Sequence, residues 1–308
     1  MESFSAVPRM SCFIAPLVVL FAGLLSGNAV AAWSTNPAVN NAVSTAANHQ
    51  SYPIIISDGS GGAIITWQDA RSGTNDIYAQ RINASGVVQW TADGVAISTA
   101  AEDQVNSTLT SDGSGGAIIT WQDSRNFGPI PFTGPRIGST DIYAQRINAS
   151  GVVQWAADGI AISTAANHQS DPTLISDGSG GAIITWQDAR SGTNDIYAQR
   201  INASGVVQWT ADGVGISKAA NDQFSPDITS DGSGGAIITW WDFRSGANWD
   251  IYAQRIGASG VVQWAADGVA ISTASDDQSN PTITSDGSGG AIITWQDFRS
   301  GTNQDIYA

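Results

Sequence analysis

The chain has 308 residues, with 27 acidic against 12 basic side chains and a formal net charge of -15. That balance argues against nucleic acid and anionic lipid surfaces as partners, and a single cysteine, Cys12, rules out a disulfide framework. An apolar share of 42% separates the chain from disordered ones and leaves packing as its source of stability.

In chain order, Arg9 precedes an apolar run from Phe13 to Leu25, and the small residues Ala29, Ala31 and Ala32 follow. The pattern predicts a secretory signal peptide over 1–31. Its run is shorter than the ~20 residues of a comfortable span, and no later segment approaches that length. The expectation is a chain from residue 32 onward without membrane insertion, secreted to a periplasmic or extracellular location.

From there one unit is repeated five times. The run SDGSGGAIITW recurs with Asp58, Asp112, Asp177, Asp231 and Asp286 at its second position, then an Arg, then DIYA. Repetition on this scale decides the architecture. In the first unit, Pro53 to Ser57 reads as a short strand that stops at Asp58-Gly59-Ser60-Gly61-Gly62, a turn. A second strand, Ala63 to Asp69, is apolar on both faces, as expected of a sheet sandwiched between neighbours. A third covers Asp76 to Asn83. The turn Ala84-Ser85-Gly86 closes onto Val87 to Trp90 and, after another turn, Val95 to Ser98; these form one irregular outer strand.

Four strands per unit and Trp-rich strands suit an all-β propeller of five four-stranded blades over 32–308, with an insertion at 126–140 in the second. The segment from Trp33 to Thr45 reads as an outer strand that completes the fifth blade and closes the ring.

The run S-D-G, an Ile-rich strand, then D-x-R-S-G-x-x-D-I-Y resembles the repeat of TolB-type β-propellers, in a Trp-containing form known from secreted bacterial proteins. The resemblance covers all five units. It implies a propeller that serves as a protein-interaction platform. The Pro-Trp-Ser that often precedes Asp-Gly in that family is missing here, as is room for an accompanying α/β domain.

Each unit carries an Asp and an Arg two apart, then a second Asp, as in Asp69, Arg71 and Asp76. The Arg is expected to bridge both carboxylates as a loop staple. The turn at Asp58 offers one carboxylate, too few for a calcium loop. No cofactor and no metal site is expected.

Ligand-binding candidates come from positions where the units differ. His49, Asp103, His168, Asp222 and Asp277 occupy one loop position and are expected to ring the mouth of the central channel. The insertion, with Phe127, Phe132 and Arg136, and Trp249 in the matching loop of the fourth unit, are expected on the same face. Near-identical blades favour a monomeric, non-catalytic scaffold that binds a protein or glycan outside the cell or at its surface. The alternative is a glycoside hydrolase or lyase using two of Asp103, Asp222 and Asp277 at the channel mouth.

Overall fold

A computed structural model describes residues 33–34, 36–127 and 138–308. The expected signal peptide, Phe132 and Arg136 lie outside them. Every regular element described is a strand. The first blade is β1 (Gln50–Ser57), β2 (Ala63–Asp69), β3 (Asp76–Ile82) and β4 (Val95–Ser98); the second is β5 (Gln104–Ser111), β6 (Ala117–Asp123), β7 (Asp141–Ile147) and β8 (Ile160–Ser163). The third is β9 (Gln169–Ser176), β10 (Ala182–Asp188), β11 (Asp195–Ile201) and β12 (Val214–Ser217); the fourth is β13 (Gln223–Ser230), β14 (Ala236–Asp242), β15 (Asp250–Ile256) and β16 (Val269–Ser272). The fifth is β17 (Gln278–Ser285), β18 (Ala291–Asp297) and β19 (Asp305–Tyr307).

Strands pair in sequence order and antiparallel within each blade. The innermost strands β1, β5, β9, β13 and β17 follow one another side by side, so the all-β five-bladed propeller expected from the repeats is the fold. Blades stack through apolar layers. At the first junction Ile64, Ile77 and Ala79 of one blade meet Leu109, Ile119 and Trp121 of the next. The turn glycines have a packing reason: a Cβ on Gly94, at φ +89°, would lie 2.5 Å from the Trp67 ring.

The Asp-Arg staple differs from the sequence reading. Arg71 holds Asp69 alone, with Nε on Oδ1 at 2.8 Å and Nη2 on Oδ2 at 2.6 Å. Trp67 Nε1 donates to the same carboxylate at 2.8 Å, Arg71 Nη2 also reaches Asp93 O, and the guanidinium lies 3.8 Å over the Tyr78 ring. The Asp69 fork thus fills both Arg nitrogens that face it, and Asp76 is left outside. Burial pushes the Asp76 carboxyl up, and its Oδ2 has no hydrogen-bond partner among the described residues. The Asp58 turn is built as expected: Oδ1 accepts the Ser60 and Gly62 N–H groups, both at 2.8 Å, and Oδ2 pairs with Arg81.

The N-terminal segment also differs. Trp33 Nε1 donates to Ala84 O at 2.9 Å and Thr45 N to Asp93 Oδ1 at 2.7 Å, so this segment lies on the first blade. Each bond repeats an inter-blade bond found further on, Trp90 Nε1 to Ala149 O and Thr99 N to Asp158 Oδ1. It therefore sits where the outer strand of a preceding blade would sit, and the fifth sheet has three strands.

Candidate functional site

The innermost strands share an irregularity that places side chains on the axis. Between Ser51 and Ile54, Val105 and Thr108, Phe224 and Asp227, and Ser279 and Thr282 the pairing register shifts by a bulge. At these bulges Tyr52, Asn106, Ser225 and Asn280 take φ between 48° and 53°, and Asp171 takes 50° at the matching position of the third blade. Bulges re-aim a side chain at a small cost in strain, and such residues concentrate at functional sites. A proline follows at Pro53, Pro172, Pro226 and Pro281, where the skipped pairing needs no N–H.

Four of the five bulge residues, Tyr52, Asn106, Asp171 and Ser225, line a cavity of about 380 Å³ together with Gln68 and others of the first four blades. Asp171 is its carboxylate. Gln187 Nε2 donates to Oδ2 at 2.5 Å and Asn106 Nδ2 to Oδ1 at 3.3 Å, which fixes the group's orientation with donors from two blades. Asp227 takes the position that in two earlier blades is Thr108 and Thr173, both of which line the cavity. Burial pushes the Asp227 carboxyl up, although the backbone N–H groups of Ile228 and Ile283 donate to it at 2.9 and 3.1 Å.

The fourth blade adds an aromatic platform. Trp241 replaces the glutamine that is Gln68 and Gln187 elsewhere, and it packs with Trp249 at 5.1 Å between ring centroids. Phe224 and Phe243 lie 5.4 and 4.8 Å from Trp249. All four rings are half-buried, and Phe224 immediately precedes Ser225, which lines the cavity.

The loop residues expected to ring the channel mouth are found at the blade junctions instead. Asp103 Oδ1 accepts the Asn75 N–H at 2.9 Å, Asp222 Oδ1 the Asn194 N–H at 2.9 Å, and Asp277 Oδ1 the Trp249 N–H at 3.0 Å. His168 Nδ1 accepts from Thr140 N at 3.3 Å, and its ring lies tilted to that of Phe127, with centroids 6.0 Å apart. His49 is exposed on the first blade. Asp103, His168, Asp222 and Asp277 each join a different pair of blades, so the structure does not converge them on one point. Among the described residues no three His, Cys, Asp or Glu side chains are grouped to hold a metal. Of the sequence candidates, Trp249 belongs to the aromatic cluster of the fourth blade. The bulge residues were missed although they lie two residues beyond the Gln that ends the loop motif, at positions reading Tyr, Asn, Asp, Ser and Asn in the five units.

No family model and no curated protein matches this chain. Solved structures do. An α-L-arabinanase of Penicillium chrysogenum is 14% identical over 80% of this chain and 77% of its own, with a TM-score of 0.44. An endo-arabinase of Bacteroides thetaiotaomicron is 13% identical over 87% and 96%, with a TM-score of 0.43. An α-L-arabinofuranosidase of Fusarium graminearum is 12% identical over 80% and 74%, also at 0.43. These neighbours correct two expectations. They are named as an arabinanase, an endo-arabinase and an arabinofuranosidase, neither TolB-type repeat proteins nor non-catalytic binding scaffolds, so neither of those expectations is carried further. At such identities the likeness concerns the arrangement of strands, and activity has to be argued from this chain's own residues.

Proposed function

We propose that the protein is a propeller enzyme that hydrolyses glycosidic bonds at its axial cavity. The observation that carries this reading is an oriented carboxylate, Asp171, among amide and hydroxyl groups at one polar opening, with a four-ring aromatic cluster on the fourth blade, whose Ser225 and Pro226 line that opening. Sugars present hydroxyl edges and apolar C–H faces, and those two surfaces call for polar side chains beside flat rings.

In this reading Asp171 serves as the base or nucleophile, held in place by Gln187 and Asn106. Asp227, on the neighbouring innermost strand and with its carboxyl pushed up by burial, serves as the proton donor to the leaving oxygen. Trp241 and Trp249 support the sugar ring.

The test is release of reducing ends from a panel of polysaccharides, arabinan among them. Asp171→Asn and Asp227→Asn should each lower the rate by about 10²-fold or more, and Trp241→Gln should raise KM more than it lowers kcat. A folded protein that releases no sugar from any member of the panel, or an Asp171→Asn variant with full activity, refutes the proposal.

A further inference from the structure

In each blade the residue just before the bulge residue pairs with one position of the second strand, which reads Gln68, Gln122, Gln187, Trp241 and Gln296. A side-chain amide has two unlike ends, a C=O that accepts and an NH2 that donates. The glutamine presents whichever end the bulge residue requires. In the second blade Asn106 Nδ2 donates to Gln122 Oε1 at 3.3 Å, and in the fifth Asn280 Nδ2 donates to Gln296 Oε1 at 3.3 Å. In the third blade the bulge residue is an acceptor and the amide is reversed, so that Gln187 Nε2 donates to Asp171 Oδ2 at 2.5 Å.

Asn106 joins the second blade to the third. Its Nδ2 carries two hydrogens, and besides Gln122 Oε1 it serves Asp171 Oδ1, also at 3.3 Å. Gln122, Asn106, Asp171 and Gln187 therefore form one chain of contacts in which every NH2 meets an oxygen. An ionised carboxylate has no hydrogen to give, so Asp171 needs the NH2 end of Asn106. A flipped Asn106 amide would set its own oxygen against that carboxylate. It would set the same oxygen against the Gln122 carbonyl, which disfavours the flip a second time. Asp171 and Asn106 are both exposed, and exposed side chains exchange rotamers unless they are held. One carboxylate oxygen is held by Gln187, itself 4% exposed, and the other by Asn106, whose direction Gln122 sets.

We infer that Gln122, which is outside the cavity lining, is a positioning residue for Asp171: it selects the amide end that Asn106 presents and so fixes the carboxylate between two donors. Its effect on rate rests on the reading of Asp171 as base or nucleophile; the contact itself does not. Holding the reacting oxygen in one place lowers the barrier without changing how tightly the substrate binds.

Two glutamines with opposite amide ends should answer the same substitution in opposite ways. Gln122→Glu keeps an acceptor toward Asn106 and should hold kcat within about threefold of the parent, whereas Gln187→Glu sets a second carboxylate against Asp171 and should lower kcat by about 10²-fold or more. Gln122→Met, of similar length but without the carbonyl, should lower kcat about tenfold with KM within about twofold. Gln296→Met removes the same bond in the fifth blade, whose Asn280 does not line the cavity, and should leave kcat unchanged. In protein labelled for nitrogen NMR, the Asn106 side-chain NH2 pair, identified by its loss in Asn106→Ala, should shift in Gln122→Met and in Asp171→Asn but not in Gln296→Met. An NH2 pair unmoved by Gln122→Met overturns the inference whatever the activity. So do equal losses of kcat in Gln122→Glu and Gln122→Met, or a Gln187→Glu protein as active as the parent. Shifted NH2 signals in a protein that hydrolyses no polysaccharide uphold the placing of Asp171 by Gln122 and refute the hydrolytic reading alone.

Discussion

The blade frame and the axial rim follow opposite rules. In the frame, the Trp-Asp-Arg-Tyr stack is repeated with little change: Trp121, Asp123 and Arg125 in the second blade make the same bonds as Trp186, Asp188 and Arg190 in the third. At the rim, a position that is glutamine in four blades is Trp241 in the fourth, and the bulge residue changes from blade to blade. Positions that must satisfy a neighbouring blade are held constant by packing and by buried charge. Positions that face only the axis are free to differ, and the carboxylate of the site, Asp171, is found at one of them.

The largest expected effect breaks the frame. Asp123→Ala strips the partner from a guanidinium and an indole N–H at a fully buried carboxylate and should cost about 3 kcal/mol in urea unfolding. The equivalent Asp297→Ala in the fifth blade should cost less, because the Arg299 side chain is 34% exposed there and Arg125 only 20%. Equal losses would mean that burial does not set the strength of the staple.

A smaller effect is in pH dependence. Burial pushes the Asp141 carboxyl up to about 6, so the folded protein binds that proton more tightly than the unfolded chain does. The stabilisation is complete below the ordinary carboxylate range and is lost as pH rises through about 6. Asp297 has the opposite sign: Arg299 holds it down at about 2, and its contribution is present above the ordinary range and lost as pH falls toward that value. Asp141→Asn should therefore flatten the decline in unfolding free energy between pH 4 and 7, read from urea midpoints, by an amount on the order of 1 kcal/mol. An unchanged slope would place the titrating group elsewhere.

The smallest effect is at the rim, and it runs the other way. Ser225 holds φ at 48°, a region that glycine enters without strain. Ser225→Gly should raise stability by up to about 1 kcal/mol, measured by the urea midpoint. A loss of stability would show that the bulge is not strained and would remove one reason for assigning it a role.

Much of the frame was legible in the sequence. The second strand is found at Ala63–Asp69 as expected, and the third begins at Asp76 as expected, because apolar spacing and Gly-rich turns fix both locally. The outer strand in two pieces is also there, as β4 and an isolated bridge between Ile82 and Val88. The first strand was read too short: Gln50 to Tyr52 belong to it, and the bulge that interrupts it leaves no hydrophobic period to recognise. That bulge aims the site residues, so the site was the less legible part. The loop residues His49 to Asp277 drew attention through their variety, but from Asp103 onward that variety is tolerated because the partner at the junction is a backbone N–H, which can donate to any nearby oxygen or ring nitrogen.

The indole latch between blades has a consequence for how such a chain changes length. Trp90, Trp155 and Trp209 each donate to a carbonyl of the following unit, at Ala149, Ala203 and Ala258, and Trp33 does the same to Ala84. The first three units thus each carry a key for the successor, and the first four each a lock for what precedes them. Duplicating or excising one whole unit in the gene therefore leaves no key without a lock inside the array, and the number of blades can drift while each surviving interface keeps its fit.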